Sequence, residues 1–424
     1  MLTPLAAKDK LQRFFDDTNE YFYLLDFGSQ HIKFGLLAVN SDNKTSQLID
    51  VVEEFYPPRG IDQLNLPVTE SMCRTGVRAL HMPKHVKIKK PKLVIGLSSE
   101  MVYGDSTSYL YKREDPNEPI DMREIKNIFH KAELRAYENI RKKFNEETGF
   151  SEDQVHLIDA TIQAIKLDDR KVIDPIGKTG EELQINIFNA YLPTFYKKFF
   201  EDLSQRLNMR LASMVYEPYA LSDALIQHEN PELDAVVLDV GGRTTSVSLL
   251  RHGRLEAIKT FSFGGESFTR RIASELKLSA LSAEGVKRRY SASILSKNAQ
   301  KSLNQMLRPE LSMFLNALEL ILKEFSQINL LPGRIYVHGG GGALPLISLS
   351  MRRKNWRRNI SFIGPTRAQA LIGDEFKTAL SPQLSFHPQL VSVMALADHT
   401  LRHYCGRYND LSRVLRRMVN IIQA

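Results

Sequence analysis

Asp26 and Asp239 each close a short apolar run and are followed two residues later by a glycine. Leu25-Asp26-Phe27-Gly28-Ser29 leads on to Leu36-Leu37, and Leu238-Asp239-Val240-Gly241-Gly242 leads on to Leu249-Leu250; the two stretches align without a gap. Each reads as strand, carboxylate, tight turn, small hydroxyl residues and second strand. Glycines at Gly28, Gly241 and Gly242 let backbone N–H groups approach an anion with no Cβ in the way. Ser29, Thr244 and Thr245 add hydroxyl donors, and Lys33 adds a cation for phosphate oxygens. Carboxylates at the strand ends, Asp26 and Asp239, suit Mg²⁺ held largely through water. A single Asp-x-Gly turn is ordinary hairpin chemistry. Two in register and far apart point to a duplicated domain that grips one phosphate chain from both sides, with a nucleoside triphosphate and Mg²⁺ as the expected ligands.

Three further features fit such a site. The run Gly339, Gly340, Gly341 and Gly342 follows a short strand and would let an adenine or ribose lie on bare backbone. Glu284 and Lys287 stand one helical turn apart and can reach a ribose from one face; as a lone pair they would also pass for a surface ion pair. Glu217 ends a strand beside Pro218, where a carboxylate facing the last phosphate would orient an attacking water. Its plainer reading is a cap for the helix opening at Pro218.

These residues must be held by strands and helices, and the hydrophobic pattern supplies them. The N-terminal arm reads as helical from Lys8 to Asp17. Phe22–Asp26 with Ile32–Asn40, and Asp234–Leu238 with Thr245–Arg251, read as hairpins; Leu48–Phe55, Lys92–Leu97, Leu211–Glu217, Leu255–Phe261 and Ile335–Val337 read as further strands. Helical spacing predicts helices over Ser71–Arg78, Asp121–Thr148, Pro193–Leu207, Tyr219–Gln227 and Phe268–Leu276, and a mostly helical Ala283–Asn329. Val155–Lys166 and Leu183–Leu192 are strands around a polar turn. The division expected is an N-terminal arm (1–19), a first lobe core (20–98 and 210–233) around an inserted subdomain (99–209), and a second lobe core (234–270 and 331–364) around a helical subdomain (271–330). Closing helices (365–400) and a basic amphipathic tail (401–424) complete it. Strands alternating with helices in two halves define an α/β architecture.

Bulk properties narrow the class. At 424 residues the chain exceeds the ~250–300 residues at which one core stops growing. No apolar run approaches the ~20 residues a membrane-spanning helix needs. The first residues lack the apolar stretch of a signal peptide, so a cytoplasmic location is expected. Cys73 and Cys405 show no metal-ligand spacing and suit a reducing compartment. The net charge of +8 does not imply nucleic acid. Half of the excess lies in residues 401–424, and no nucleic-acid-binding signature accompanies the Arg352–Arg358 cluster, which reads as a solvated basic face.

Taken in order, the motifs resemble the actin and chaperone-type ATPase superfamily: a first phosphate loop from Asp26 to Lys33, Glu217-Pro218-x-Ala220, a second phosphate loop from Asp239 to Thr245, and an adenosine loop from Gly339 to Gly342. Gly264-Gly265-Glu266 before a helix and Ala283-Glu284-x-x-Lys287 are similar to superfamily features near the ribose, which implies a ligand-facing Gly265. Val155-His156-Leu157-Ile158, Asp174-Pro175-Ile176-Gly177, Gly180, Leu183 and Arg210–Tyr219 resemble the inserted subdomain of the cell-division protein FtsA family. That resemblance implies a duplicated, ribonuclease H-like fold with a nucleotide cleft between two lobes. It further implies ATP-dependent self-association into filaments and tethering of FtsZ, from a peripheral position on the inner face of the cell membrane.

The tail fits such tethering. At 100° per residue Leu411, Val414, Leu415, Met418 and Ile422 share one face, and Arg413, Arg416 and Arg417 the other, as a helix in the plane of an anionic membrane requires. A helix docked on its own core is the alternative. Arg243 and Ser246 depart from the family's second loop, where a third glycine and a second acid are usual, so ATP hydrolysis is expected to be slow at most. Between Tyr290 and Arg334 the sequence is helix-like, with no β-hairpin. That shortening resembles the sister family PilM, whose partner would be a pilus inner-membrane protein. A degenerate binding module without hydrolysis is a further reading. A small-molecule kinase would need a general-base aspartate beside an acceptor pocket, and none is marked.

Overall fold

A computed structural model describes residues 19–56, 65–82, 88, 91–148, 154–327, 329–353, 355–376 and 378–405. The N-terminal arm (1–18) and the tail residues Leu411, Arg413, Val414, Leu415, Arg416, Arg417, Met418 and Ile422 lie outside the described residues.

Two sheets repeat one plan. In the first, β1 (Asn19–Phe27) pairs antiparallel with β2 (His31–Asn40) and parallel with β4 (Lys92–Leu97), with β3 (Thr45–Phe55) beyond β2 and β9 (Arg210–Tyr216) beyond β4. In the second, β10 (Ala235–Val240) pairs antiparallel with β11 (Thr245–Arg251) and parallel with β13 (Leu331–His338). There β12 (Arg254–Phe261) lies beyond β11 and β14 (Phe362–Ala370) beyond β13. The order β3-β2-β1-β4-β9 thus recurs as β12-β11-β10-β13-β14. The central strands are nearly continuous apolar runs because they are covered on both faces.

The first lobe holds α1 (Leu66–Ala79), α3 (Thr194–Arg206), α4 (Glu217–His228) and α10 (Val391–Tyr404). The chain returns to this lobe through the two-residue strand β15 (Ala379–Leu380), which extends the sheet beside β3. The second lobe carries α5 (Gly265–Leu276), α6 (Ala280–Ser291), α7 (Lys297–Met306), α8 (Arg308–Ser326) and the short α9 (Pro345–Met351). Between Tyr290 and β13 the described residues are helices and turns, as the pattern predicted. The second lobe has an apolar core of its own, while the first lobe's core extends onto one face of the second sheet through Ala235, Val237, Leu250, Leu255 and Tyr336.

A third sheet, in the order β5-β8-β6-β7, is built from β5 (Tyr103–Lys112), β6 (Val155–Leu167), β7 (Arg170–Val172) and β8 (Glu182–Pro193). The helix α2 (Met122–Thr148) buries Ile125, Ile128 and Phe129 with Ile185, Ile187 and Tyr191 in a separate core. At one end of this sheet Arg113, only 5% exposed, donates to Glu124 and to the carbonyls of Glu118 and Gly180, pinning two polar loops together. α3, grouped with the insert by sequence, sends Phe200 and Leu203 into the first lobe's core instead.

Residues 365–400 were expected as closing helices, and there the structure differs. Phe362–Ala370 is the edge strand β14, and the α-helix of this region is Val391–Tyr404. Gly364 and Pro365 disguised the strand; both are tolerated at a sheet edge. β5 also escaped the sequence reading, since its alternation carries serine and tyrosine on a half-exposed edge.

Candidate functional site

The sequence places Asp26 seven residues before Lys33, and the β1–β2 register sets the two directly opposite each other. Directly opposite residues share a face of the sheet. The Lys33 ammonium donates to Asp26 Oδ2 at 2.8 Å and to Ser392 Oγ at 2.9 Å, and Ser392 Oγ donates to Asp26. Asp26 is 1% exposed. Burial pushes its carboxyl up, but Lys33 and the hydrogen bonds hold it well below the usual carboxylate range. For Lys33 burial acts downward, and Asp26 reverses it to leave the ammonium above its ordinary value.

In the second hairpin the same register pairs Asp239 with Ser246. Among the described residues no lysine pairs with this aspartate. His338 Nδ1 lies 3.6 Å from Asp239 Oδ1, and burial lowers the imidazole, so it is neutral near pH 7. The Asp239 side chain is 25% exposed. The two acids therefore differ in kind: one is neutralised, the other open toward the cleft.

The hairpin turns match in detail. A Cβ on Gly28 would lie 3.1 Å from the carbonyl of His31, and one on Gly241 would lie 3.1 Å from that of Thr244. The tips also touch, for the Arg243 N–H donates to Ser29 Oγ at 3.1 Å. A Cβ on Gly242 would stand 2.8 Å from the same hydroxyl, so glycine permits this approach. The first N–H groups of α5 are satisfied by the second turn, Gly265 N donating to Gly241 O and Glu266 N to Gly242 O.

Gly339 has φ +85°, and a Cβ there would stand 2.5 Å from Asp239 Oδ1; only glycine fits. Beside this loop Lys287 Nζ lies 2.7 Å from Glu284 Oε2 and donates to Gly265 O at 3.1 Å. Lys287 is buried and Glu284 half-buried, so the two are not a surface ion pair. Burial lowers Lys287, while in Glu284 the nearby Lys287 outweighs burial and lowers the carboxyl as well.

One cavity of about 330 Å³ gathers these groups. It is lined by Asp26, Gly28, Ser29, Lys33 and Glu217 from the first lobe, by Asp239, Gly241, Gly242 and Thr244 from the second hairpin, and by Gly265, Glu284, Lys287, Gly339, Gly340 and Gly341. Thr245 is the exception. Its side chain is fully buried and its hydroxyl donates to the Phe263 carbonyl at 2.7 Å, because the residue after Thr244 points to the opposite face of β11. Arg243 turns away from the cavity toward Glu266, at 3.9 Å.

Glu217 stands at the first position of α4, buried against Asp26. Burial first, and then Asp26, hold its carboxyl well above the usual range, and Oε1 has no hydrogen-bond partner. In this arrangement it holds a proton more readily than an ordinary glutamate does. Several lining residues went unmarked by sequence: His338, Ser392, Glu100, Arg288 and Ser291. Arg288 and Ser291 were findable, since they lie four and seven residues after Glu284 on one helix face. Ser392 lies 359 residues from its partner Lys33, and no local pattern could have shown it.

Among the described residues no three His, Cys, Asp or Glu side chains converge as a metal centre. A hydrated Mg²⁺ does not need one. Asp239, open to the cavity and without a cation partner, fits that role; Asp26 is already engaged by Lys33 and Ser392.

Two β-hairpin lobes of one plan, facing each other across a glycine-lined cleft, define an actin-like ATPase fold. A chain of the PilM-PilN type IV pilus biogenesis complex shares it with a TM-score of 0.61 at 18% identity, covering 89% of this chain and 97% of that one. In sequence, the family described as cell division protein FtsA matches residues 236–379. The cell division protein FtsA of Bacillus subtilis (strain 168) is 19% identical over 375 residues, covering 82% of this chain and 80% of its own length. That of Agrobacterium fabrum (strain C58 / ATCC 33970) is 27% identical over 128 residues, 30% of this chain and 29% of its own length. The sequence matches are to cell division protein FtsA, and the match to the PilM-PilN chain shows the shared fold.

Proposed function

We propose that the chain binds ATP with Mg²⁺ between its lobes and acts as a nucleotide-dependent scaffold of the FtsA type. The observation that carries this reading is the meeting of the two hairpin turns, Arg243 N to Ser29 Oγ at 3.1 Å, in one cavity with the Glu284–Lys287 pair and the Gly339–Gly341 loop. Backbone N–H groups and hydroxyls of both turns receive the phosphates, and Lys33 supplies charge. Asp239 is the carboxylate to hold Mg²⁺ through water; bound there, the ion would neutralise phosphate charge. Glu284 and Lys287 face the ribose.

Lobe closure is what the scaffold would sense, since the two turns touch only when the lobes are together. The raised carboxyl of Glu217 disfavours the ionised form that accepts a proton from water, which agrees with slow turnover at most. Equal ATP turnover in wild type and Glu217→Ala would remove the catalytic role. ATP at 100 times its Kd should stabilise the full chain by about 2.7 kcal/mol. No shift in melting temperature at millimolar MgATP would overturn nucleotide binding and leave a binding module.

In the FtsA reading the chain self-associates, tethers FtsZ, and is held at the inner face of the cell membrane by the tail from Leu411 to Ile422. The helical run from α6 to α8, together with the fold shared with the PilM-PilN complex, favours a pilus inner-membrane protein as the alternative partner. Co-sedimentation of the full chain with FtsZ, or with the cytoplasmic segment of such a pilus protein, separates the two.

A further inference from the structure

Every residue of α10 from Val391 to Arg402 is buried except Ser392. That one residue faces the cleft. Its hydroxyl accepts from Lys33 Nζ at 2.9 Å and donates to Asp26 Oδ2, so it stands against both partners of the ion pair. An ammonium has three N–H donors. Asp26 takes one and Ser392 a second, which leaves the third for an anion in the cavity. We propose that Ser392 is a positioning residue of the cleft, a clip that fixes the Lys33 ammonium in its phosphate-facing direction.

The clip is rigid because α10 is. A Cβ on Gly35 would lie 3.0 Å from Val393 Cγ1, and a Cβ on Gly96 would lie 2.4 Å from Leu396 Cδ1, so the helix packs directly on sheet backbone. Further along, Asp398 meets His228 Nε2 at 2.7 Å and Arg402 Nε at 2.9 Å, and Arg402 also pairs with Asp223. His228 and Asp223 belong to α4, whose first residue is Glu217. The helices that bring Glu217 and Ser392 to the cleft are thereby locked to each other. A lysine held on both sides by such a block is preorganised, and binding does not have to order it.

The proposal rests on the ATP-binding reading, and the test separates the two. Full-length wild type, Ser392→Ala and Ser392→Thr are titrated with MgATP by calorimetry, and Ser392→Ala is repeated in a Lys33→Met background. Loss of one charge-assisted hydrogen bond should weaken ATP about five- to tenfold in Ser392→Ala. Ser392→Thr, which keeps the hydroxyl, should restore most of that loss. In the Lys33→Met background Ser392→Ala should add less than about twofold, since a residue acting through lysine has nothing left to position. An undiminished effect in that background overturns the proposal. The nucleotide-free arm follows the Lys33 side-chain NMR resonance, assigned by its loss in Lys33→Met. Ser392→Ala should shift it, and an unmoved resonance overturns the clip whether or not ATP binds. A resonance shifted in Ser392→Ala, together with a wild type that ignores ATP, would uphold the clip and sink the nucleotide reading.

Discussion

Replacing Lys33 by methionine removes a cation and leaves a carboxylate behind. Asp26 is 1% exposed and Lys33 is its only ion-pair partner among the described residues. Breaking a buried pair from one side costs about 3–5 kcal/mol, against a total stability of roughly 5–15 kcal/mol for a domain. In the wild type Asp26 sits below its unfolded value, so its contribution is present above about pH 4 and is lost only in strong acid. In Lys33→Met the chief opposing charge is gone, and burial, countered only by the hydrogen bonds of Glu217 and Ser392, raises the carboxyl. The native mutant then keeps a proton that the unfolded chain gives up, and its deficit grows with pH by up to ~1.4 kcal/mol per unit. Urea unfolding followed by circular dichroism at pH 5 and pH 7 measures this directly. Lys33→Met should lose the most at pH 7, and Asp26→Asn/Lys33→Met should recover most of the loss. A deficit below ~1 kcal/mol at pH 7, or one equal at both pH values, would refute the reasoning, as would a double variant no better than the single.

In the insert, burial holds Glu133 up to about 7, with Asn189 donating to it at 3.3 Å. Native Glu133 keeps its proton above the unfolded value, so its contribution is full below about pH 4.5 and is lost as pH rises toward 7. Glu133→Gln should flatten that part of the pH–stability curve, and a melting temperature that falls as steeply as in the wild type between pH 5 and 8 would contradict it. Gly96→Ala places a Cβ 2.4 Å from Leu396 and 2.8 Å from Glu217 Oε1; overpacking of this kind costs about 1–3 kcal/mol, read as a lowered urea midpoint. The full chain should sediment with anionic vesicles, and a chain ending at Asp410 should not. Equal sedimentation would move the weight from a membrane tether to the pilus-type reading.

What could be read from sequence was local. The two hairpins, their glycines and the offset of Lys33 from Asp26 lie within about a dozen residues each, and the register that joins them follows from a tight turn. The same locality hid their difference. Ser246 occupies the place of Lys33, but only the fold shows that His338, from β13, stands beside Asp239 instead. Ser392 was beyond reach for a like reason, since α10 arrives at the cleft from the far end of the chain. Thr245 was misjudged by one residue, which in a strand is the distance between the cleft and the core. Glu217 was placed correctly at the cleft. Its proton, set by burial and by Asp26, could be read only from the packed structure.

The first lobe begins at β1 and is finished by β15 and α10, with the whole second lobe threaded between. During synthesis β9 emerges long before α10, roughly 10–35 s earlier at typical ribosomal rates. Through that interval the second sheet, contiguous from β10 to β14, can complete itself. Gly35 and Gly96, on which Val393 and Leu396 of α10 later pack, must wait with that face of the sheet open. The lobe started first is therefore completed last, and until α10 arrives its sheet is the apolar surface longest left open.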